Sequence, residues 1–173
     1  MNLRDTFMYS CGSNCILGYI LGLGDRNLHN ILICGKTATL AHIDFSYLLG
    51  HDPKNIESTE MKITSGMVDM LGGYDSDEFK QMKSFCSDAY TNIRKYTYFW
   101  YALFRYLPVS TPPIYPHSGD LKALQTHVNS RLMPNSTDEQ VKVAIIKSVD
   151  SNSDSWKSSI SDLSHGFNQL LNI

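Results

Sequence analysis

The chain has no apolar run long enough to cross a bilayer, no paired C-x-x-C cysteines and no large surplus of either charge. Each shortage removes a class of function. A membrane-spanning helix needs about 20 consecutive apolar residues, and the N-terminus also lacks the apolar core of a secretory signal. A net charge of −2, with lysines and arginines scattered along the chain, makes no basic stripe, so nucleic acid is not an expected partner. Of the four cysteines, Cys11 and Cys15 lie one helical turn apart and are expected to be buried thiols rather than zinc ligands; Cys34 and Cys86 stand alone. The Asn135-Ser136-Thr137 sequon would matter only in a secreted protein. At 173 residues the chain suits one domain of ordinary size, expected to be soluble and cytoplasmic.

What is present is concentrated near the N-terminus. An apolar run ends in Gly24-Asp25-Arg26-Asn27-Leu28-His29-Asn30, and Ala41-His42-Ile43-Asp44-Phe45 follows. Asp25 and Asn30 have the D-x-x-x-x-N spacing of a kinase catalytic loop, and a second aspartate before an aromatic holds the other side of such a metal site. A hard cation takes oxygen ligands from separate, rigid pieces of backbone, here a loop amide and a strand-end carboxylate. Ile31–Cys34 and Thr39–Ile43 are short apolar runs around a Gly35-Lys36 turn region, and read as a β-hairpin. A hairpin would bring Asn30 and Asp44 together at its open end.

The stretch Tyr19–Arg26, with Asn30-Ile31-Leu32-Ile33 and His42-Ile43-Asp44-Phe45, resembles the phosphatidylinositol 3-/4-kinase superfamily, whose catalytic loop reads G-[IL]-G-D-R-H-x-x-N. Lys62-Ile63-Thr64 and Met67–Gly73 look like the segment closing the activation loop in the type III phosphatidylinositol 4-kinases, and favour that branch. The resemblance implies a protein-kinase-like C-lobe over 1–173: catalytic loop 22–30, metal-binding and activation loop 44–64, helical subdomain 76–173. It also implies transfer of the ATP γ-phosphate to the 4- or 3-hydroxyl of phosphatidylinositol, at a membrane surface to which the protein binds peripherally. Asp25 would orient or deprotonate that hydroxyl, and Arg26 would hold the loop or meet phosphate. Asn30 and Asp44 would bind Mg²⁺ or Mn²⁺ with ATP. His51, Lys54 and Lys62 are the candidate headgroup contacts; two separated lysines suit an unmodified inositol ring better than a highly phosphorylated one.

The chain departs from the family at several points. The histidine after Asp-Arg is Asn27, with His29 two places later, and the glycine after Asp-Phe is Ser46. No glycine-rich phosphate loop or strand lysine precedes Asp25, so the expectation is a C-lobe alone. Another chain or segment would then supply the N-lobe, without which the isolated chain is expected to be inactive. The alternative is a non-catalytic pseudokinase or interaction module.

The layout expected is mainly α with a small β-hairpin. A first helix covers about Asp5–Leu21, with Phe7, Cys11, Cys15 and Tyr19 inward. A short helix near Gly66–Leu71 ends at Gly72-Gly73. Ser76 caps the next helix, whose core stripe is Phe79, Met82, Cys86, Ala89, Ile93 and Tyr96, continuing into core aromatics from Tyr98 to Leu107. Pro108, Pro112, Pro113 and Pro116 form a stiff, non-helical connector. A helix resumes near Leu121, and the Thr137–Gln140 capping box opens another through about Val149. Ser151–Ser161 reads as a linker. Trp156, Ile160, Leu163, Phe167 and Leu170 nevertheless keep the spacing of a terminal amphipathic helix, expected to pack on the lobe.

Overall fold

The structure is a computed structural model describing residues 2–26, 28–50, 61–110 and 121–151, with the backbone alone for 107–110. The first helix, α1 (Leu3–Leu21), starts slightly earlier than the sequence suggests because the Asn2 side chain accepts from the Asp5 amide at 2.8 Å. Phe7, Cys11 and Cys15 are buried along it, while Tyr19 is half-buried and meets the Tyr90 ring edge-on. A 3₁₀ turn at Leu28–Asn30 leads into the hairpin of β1 (Ile31–Ile33) and β2 (Leu40–His42). Their antiparallel register pairs Ile31 with His42 and Ile33 with Leu40.

The helical part begins with α2 (Ser65–Met70), whose N-terminus is capped by Thr64. Gly72 and Gly73 follow at φ 94° and 98°, conformations that other residues resist. Next comes α3 (Asp77–Ile93), capped by Ser76, which accepts from the Phe79 amide at 3.1 Å. The α1 and α3 helices run side by side in one direction: Arg4 pairs with Glu78, Gly12 lies under Phe85 and Cys86, and Tyr19 meets Tyr90. A Cβ on Gly12 would stand 2.8 Å from the Phe85 ring, so the bare backbone permits the close approach.

Three expectations for the next stretch are corrected. The core stripe does not run on through Tyr96, which is 67% exposed, because a 3₁₀ turn at Arg94–Tyr96 breaks the α-helical phase after Ile93. The aromatics of α4 (Thr97–Ser110) are then divided: Tyr98, Phe99 and Tyr106 are exposed, Trp100 and Tyr101 pack half-buried against the core, and Phe104 alone is fully buried. The helix also runs through Pro108 instead of stopping before it. A proline this close to a helix end forfeits one backbone hydrogen bond without forcing the helix to end earlier. Pro112, Pro113 and Pro116 lie outside the described residues.

The α5 helix (Leu121–Leu132) packs on α4, Phe104 meeting His127, and its Arg131 guanidinium covers the Tyr19 ring. The Thr137–Gln140 capping box is present, its bonds 3.0 and 3.3 Å long, and opens α6 over 138–151. Asp138 with Arg94, Lys142 with Asp88 and Asp150 with Lys83 set α6 antiparallel to α3. Ser151, expected in a linker, is still helical, and the Trp156–Leu170 stripe lies outside the described residues. One core unites α1, β2 and α2 to α6. Among the described residues no helix is long and apolar enough to cross a membrane.

Candidate nucleotide and metal site

The loop that carries Asp25 is fixed from behind. Gly22 ends α1 at φ 57°, and a Cβ there would come within 2.6 Å of both the Gly50 nitrogen and His127. The chain after Asp44 returns along this turn: Gly24 donates to the Tyr47 carbonyl at 2.9 Å, Leu49 to Leu21 and Gly50 to Gly22 at 2.8 Å. Asp25 follows directly, in the left-handed region at φ 46°. An aspartate there costs backbone energy, which the bonds on both sides of the loop offset.

Asn30 closes the loop. Its Nδ2 donates to the Asp25 carbonyl at 2.9 Å, and its own carbonyl accepts from the Ile43 amide at 2.8 Å. The first bond shapes the Asp25–Asn30 loop; the second sets Asn30 beside the end of β2, one residue before Asp44. With Nδ2 engaged, the amide oxygen of Asn30 remains as a donor toward a cation. Asp44 is exposed and again left-handed, at φ 65°. Its carboxylate accepts from the Ser46 hydroxyl at 2.5 Å and the Ser46 amide at 3.0 Å. Those two bonds, the hydroxyl first, hold it below the usual carboxylate range.

Behind the loop is a small cavity lined by Asn14, Leu23, Arg26, Ile31, His42 and Lys62, among others. The Lys62 ammonium donates to the Arg26 backbone carbonyl. Lys62, an expected headgroup contact, thus bonds the loop that carries Asp25. His42 keeps both ring nitrogens buried without a hydrogen-bond partner among the described residues. Burial first, then the cations of Arg26 and Lys62, push its imidazole below the ordinary value, so it is neutral at neutral pH. His29 is exposed, while Asn27, His51 and Lys54 lie outside the described residues.

Oxygens from Asp44, Asn30 and Asp25 are hard donors of the kind Mg²⁺ and Mn²⁺ take. Among the described residues no three His, Cys, Asp or Glu side chains converge, so these residues alone would not complete a coordination sphere. Such an arrangement suits a cation shared with phosphate oxygens. The sequence reading passed over Leu32 and Ile43. Both are apolar and exposed, at 51% and 41%, on the hairpin beside Asp44. Strand alternation was the available signal, since Leu32 opposes Ala41 and Ile43 lies two residues on from it.

The sequence profile of the phosphatidylinositol 3- and 4-kinase family matches residues 1–110. Over 91 residues, 53% of this chain, it is 44% identical to phosphatidylinositol 3-kinase pik3 of Schizosaccharomyces pombe. It is 39% identical over 121 residues, 68% of the chain, to phosphatidylinositol 3-kinase VPS34 of Arabidopsis thaliana. It is 31% identical over 170 residues, 98% of the chain, to phosphatidylinositol 3-kinase catalytic subunit type 3 of Caenorhabditis elegans. The chain spans 11%, 15% and 18% of these relatives, in that order. All three are 3-kinases, which corrects the expectation of a type III 4-kinase. Met67–Gly73 supported that expectation, but Met67, Val68 and Leu71 are core and the two glycines turn the backbone, so the segment carries packing constraints rather than substrate choice. The chain belongs to the phosphatidylinositol 3- and 4-kinase family.

Proposed function

We propose that this chain is the C-lobe portion of a lipid kinase that transfers the ATP γ-phosphate to an inositol hydroxyl of phosphatidylinositol, at the 3-position. The two bonds made by Asn30, to the Asp25 carbonyl and from the Ile43 amide, carry this reading. They tie a candidate proton acceptor, an amide oxygen and a metal carboxylate to one short piece of backbone. The named activity of the relatives supports the 3-position.

Asn30 and Asp44 would hold Mg²⁺ or Mn²⁺ against the nucleotide phosphates, where the cation neutralises charge that grows during transfer. Asp25 would orient the attacking hydroxyl and accept its proton. Leu32 and Ile43 would be the apolar floor under the adenine. Lys62 would fix the catalytic loop through the Arg26 carbonyl, leaving His51 and Lys54 as the headgroup candidates. The lobe covering the phosphates would come from another segment or chain, and the membrane contact would be peripheral. In such sites catalysis is mostly positioning and charge stabilisation.

A second reading, a non-catalytic pseudokinase module that binds nucleotide without transfer, draws on Ser46. Its hydroxyl and amide occupy the same Asp44 oxygen, in competition with a cation. One experiment separates the two: Mg·ATP binding, and phosphate transfer from Mg·ATP to phosphatidylinositol vesicles, for the chain joined to a kinase N-lobe and for the same assembly carrying Asp44→Asn. The kinase reading expects 3-phosphorylated lipid that vanishes with Asp44→Asn. Binding without product supports the module, and absence of Mg·ATP binding defeats both.

A further inference from the structure

Among the described residues the hairpin that delivers Asp44 has two strands, and an isolated pair is marginal in water. Its direction relative to the helices therefore depends on what holds its outer edge. Along β2 the backbone groups alternate. Thr39 and Ile43 turn theirs toward β1: the Thr39 carbonyl accepts from Cys34 at 2.9 Å and the Ile43 amide donates to Asn30 at 2.8 Å. Leu40 and His42 therefore point their groups the other way, toward α1. A bare edge there would leave strong donors and acceptors without partners.

Side chains of α1 take the place of a third strand. The Ser10 hydroxyl accepts from the Leu40 amide at 2.9 Å. Asn14 Nδ2 donates to the Leu40 carbonyl at 3.1 Å, and Asn14 Oδ1 accepts from the His42 amide at 3.1 Å. Asn14 Nδ2 is itself held by the Ser10 carbonyl at 2.8 Å. Only a side-chain amide offers a donor and an acceptor side by side, as a strand's peptide group does. Ser10 and Asn14 stand one helical turn apart, matching alternate residues on the strand.

We infer that Asn14 is a positioning residue of the phosphate-transfer site, its amide serving as a surrogate strand that pins β2 and thereby sets Asp44 opposite Asn30. This rests on the kinase reading for its consequence, though not for the clamp itself. His42, whose amide Asn14 holds, stands two residues before Asp44. Asn14 touches neither nucleotide nor metal and acts only through β2. Loss of the clamp would let the hairpin swing while leaving the α1–α3 core in place.

The test uses the full chain and two variants, Asn14→Leu and Asn14→Asp, with amide hydrogen exchange and Mg·ATP titration as readouts. Asn14→Leu keeps the size and loses both bonds. It is expected to speed exchange at His42 by about tenfold and weaken Mg·ATP binding by a similar factor, as loss of one or two hydrogen bonds implies. Exchange at Met82 and Tyr90 in α3 should stay unchanged, which a general loss of folding would not allow. Asn14→Asp keeps the acceptor for His42 and places a carboxylate against the Leu40 carbonyl, so His42 should remain protected and affinity should fall less. The inference is overturned if Asn14→Leu leaves His42 exchange unaltered, or speeds it without changing Mg·ATP affinity. If the unaltered chain does not bind Mg·ATP, the kinase reading fails, while His42 exchange alone still decides whether Asn14 fixes β2.

Discussion

Lys62 donates from its ammonium to the backbone carbonyl of Arg26, the residue directly after Asp25. A charge-assisted bond to a loop carbonyl fixes the loop as a point charge in the headgroup pocket would not. Lys62→Met is therefore expected to weaken Mg·ATP binding by about tenfold, the scale of a lost charged hydrogen bond. Calorimetric titration with Mg·ATP checks this. Unchanged nucleotide affinity together with a raised lipid KM would instead return Lys62 to the headgroup.

Ser46 lowers the Asp44 pKa through its hydroxyl and its amide. A carboxylate held below its ordinary value stays ionised further into acid, and its cation affinity disappears as pH falls through that lowered value. Ser46→Ala removes the stronger of the two bonds. The acid limb of Mn²⁺ binding should then move to higher pH, while neutral-pH affinity rises because one competitor for the Asp44 oxygen is gone. Paramagnetic relaxation titrations across the acid range would show both changes, and an unmoved acid limb would count against them.

Arg94 is buried and donates to Asp138 at 2.8 Å, as well as to the Met133 and Ser136 carbonyls. The Arg94 bond holds Asp138 below the usual carboxylate range. Its folded pKa is depressed, so the contribution to stability is present above the unfolded value, ~3.9, and is lost as pH falls through the folded one. Asp138→Asn should lower the melting temperature at neutral pH. The two melting curves should converge in acid, and a difference independent of pH would exclude this ion pair as the cause.

Gly22 and Gly18 make a matched pair. Gly22→Ala would force a Cβ to 2.6 Å from the Gly50 nitrogen at φ 57°, costing on the order of 2–4 kcal/mol. Gly18 is helical, with nothing within 4 Å of a built Cβ, so Gly18→Ala should be neutral or stabilise by up to about 1 kcal/mol. Thermal or urea unfolding of both variants measures the contrast. Equal effects would mean that the Gly22–Gly50 approach does not constrain the loop.

Much of the local structure was readable in the chain. The Ser76 and Thr137 caps, the α1 stripe and the hairpin depend on neighbours a few residues apart, and such signals survive in sequence. Tyr98, Phe99 and Tyr106 face outward against expectation because a single 3₁₀ turn at Arg94–Tyr96 shifts the phase of the helix after it. Pro108 does not stop the helix, because a proline in the last turn forfeits one hydrogen bond without ending it.

By itself the sequence determined the hairpin and the loop before it, and hence that Asn30 and the end of β2 before Asp44 lie close together. Tertiary structure alone decided what braces them. Asn14 reaches β2 and Lys62 reaches Arg26 across spacings that carry no periodic signal. Those contacts exist only after α1 has packed beneath the hairpin and the segment before α2 has folded back under the loop. Hydrophobic burial brings these pieces together without specifying polar partners. Hydrogen-bond geometry then selects the partners, once the backbones have met.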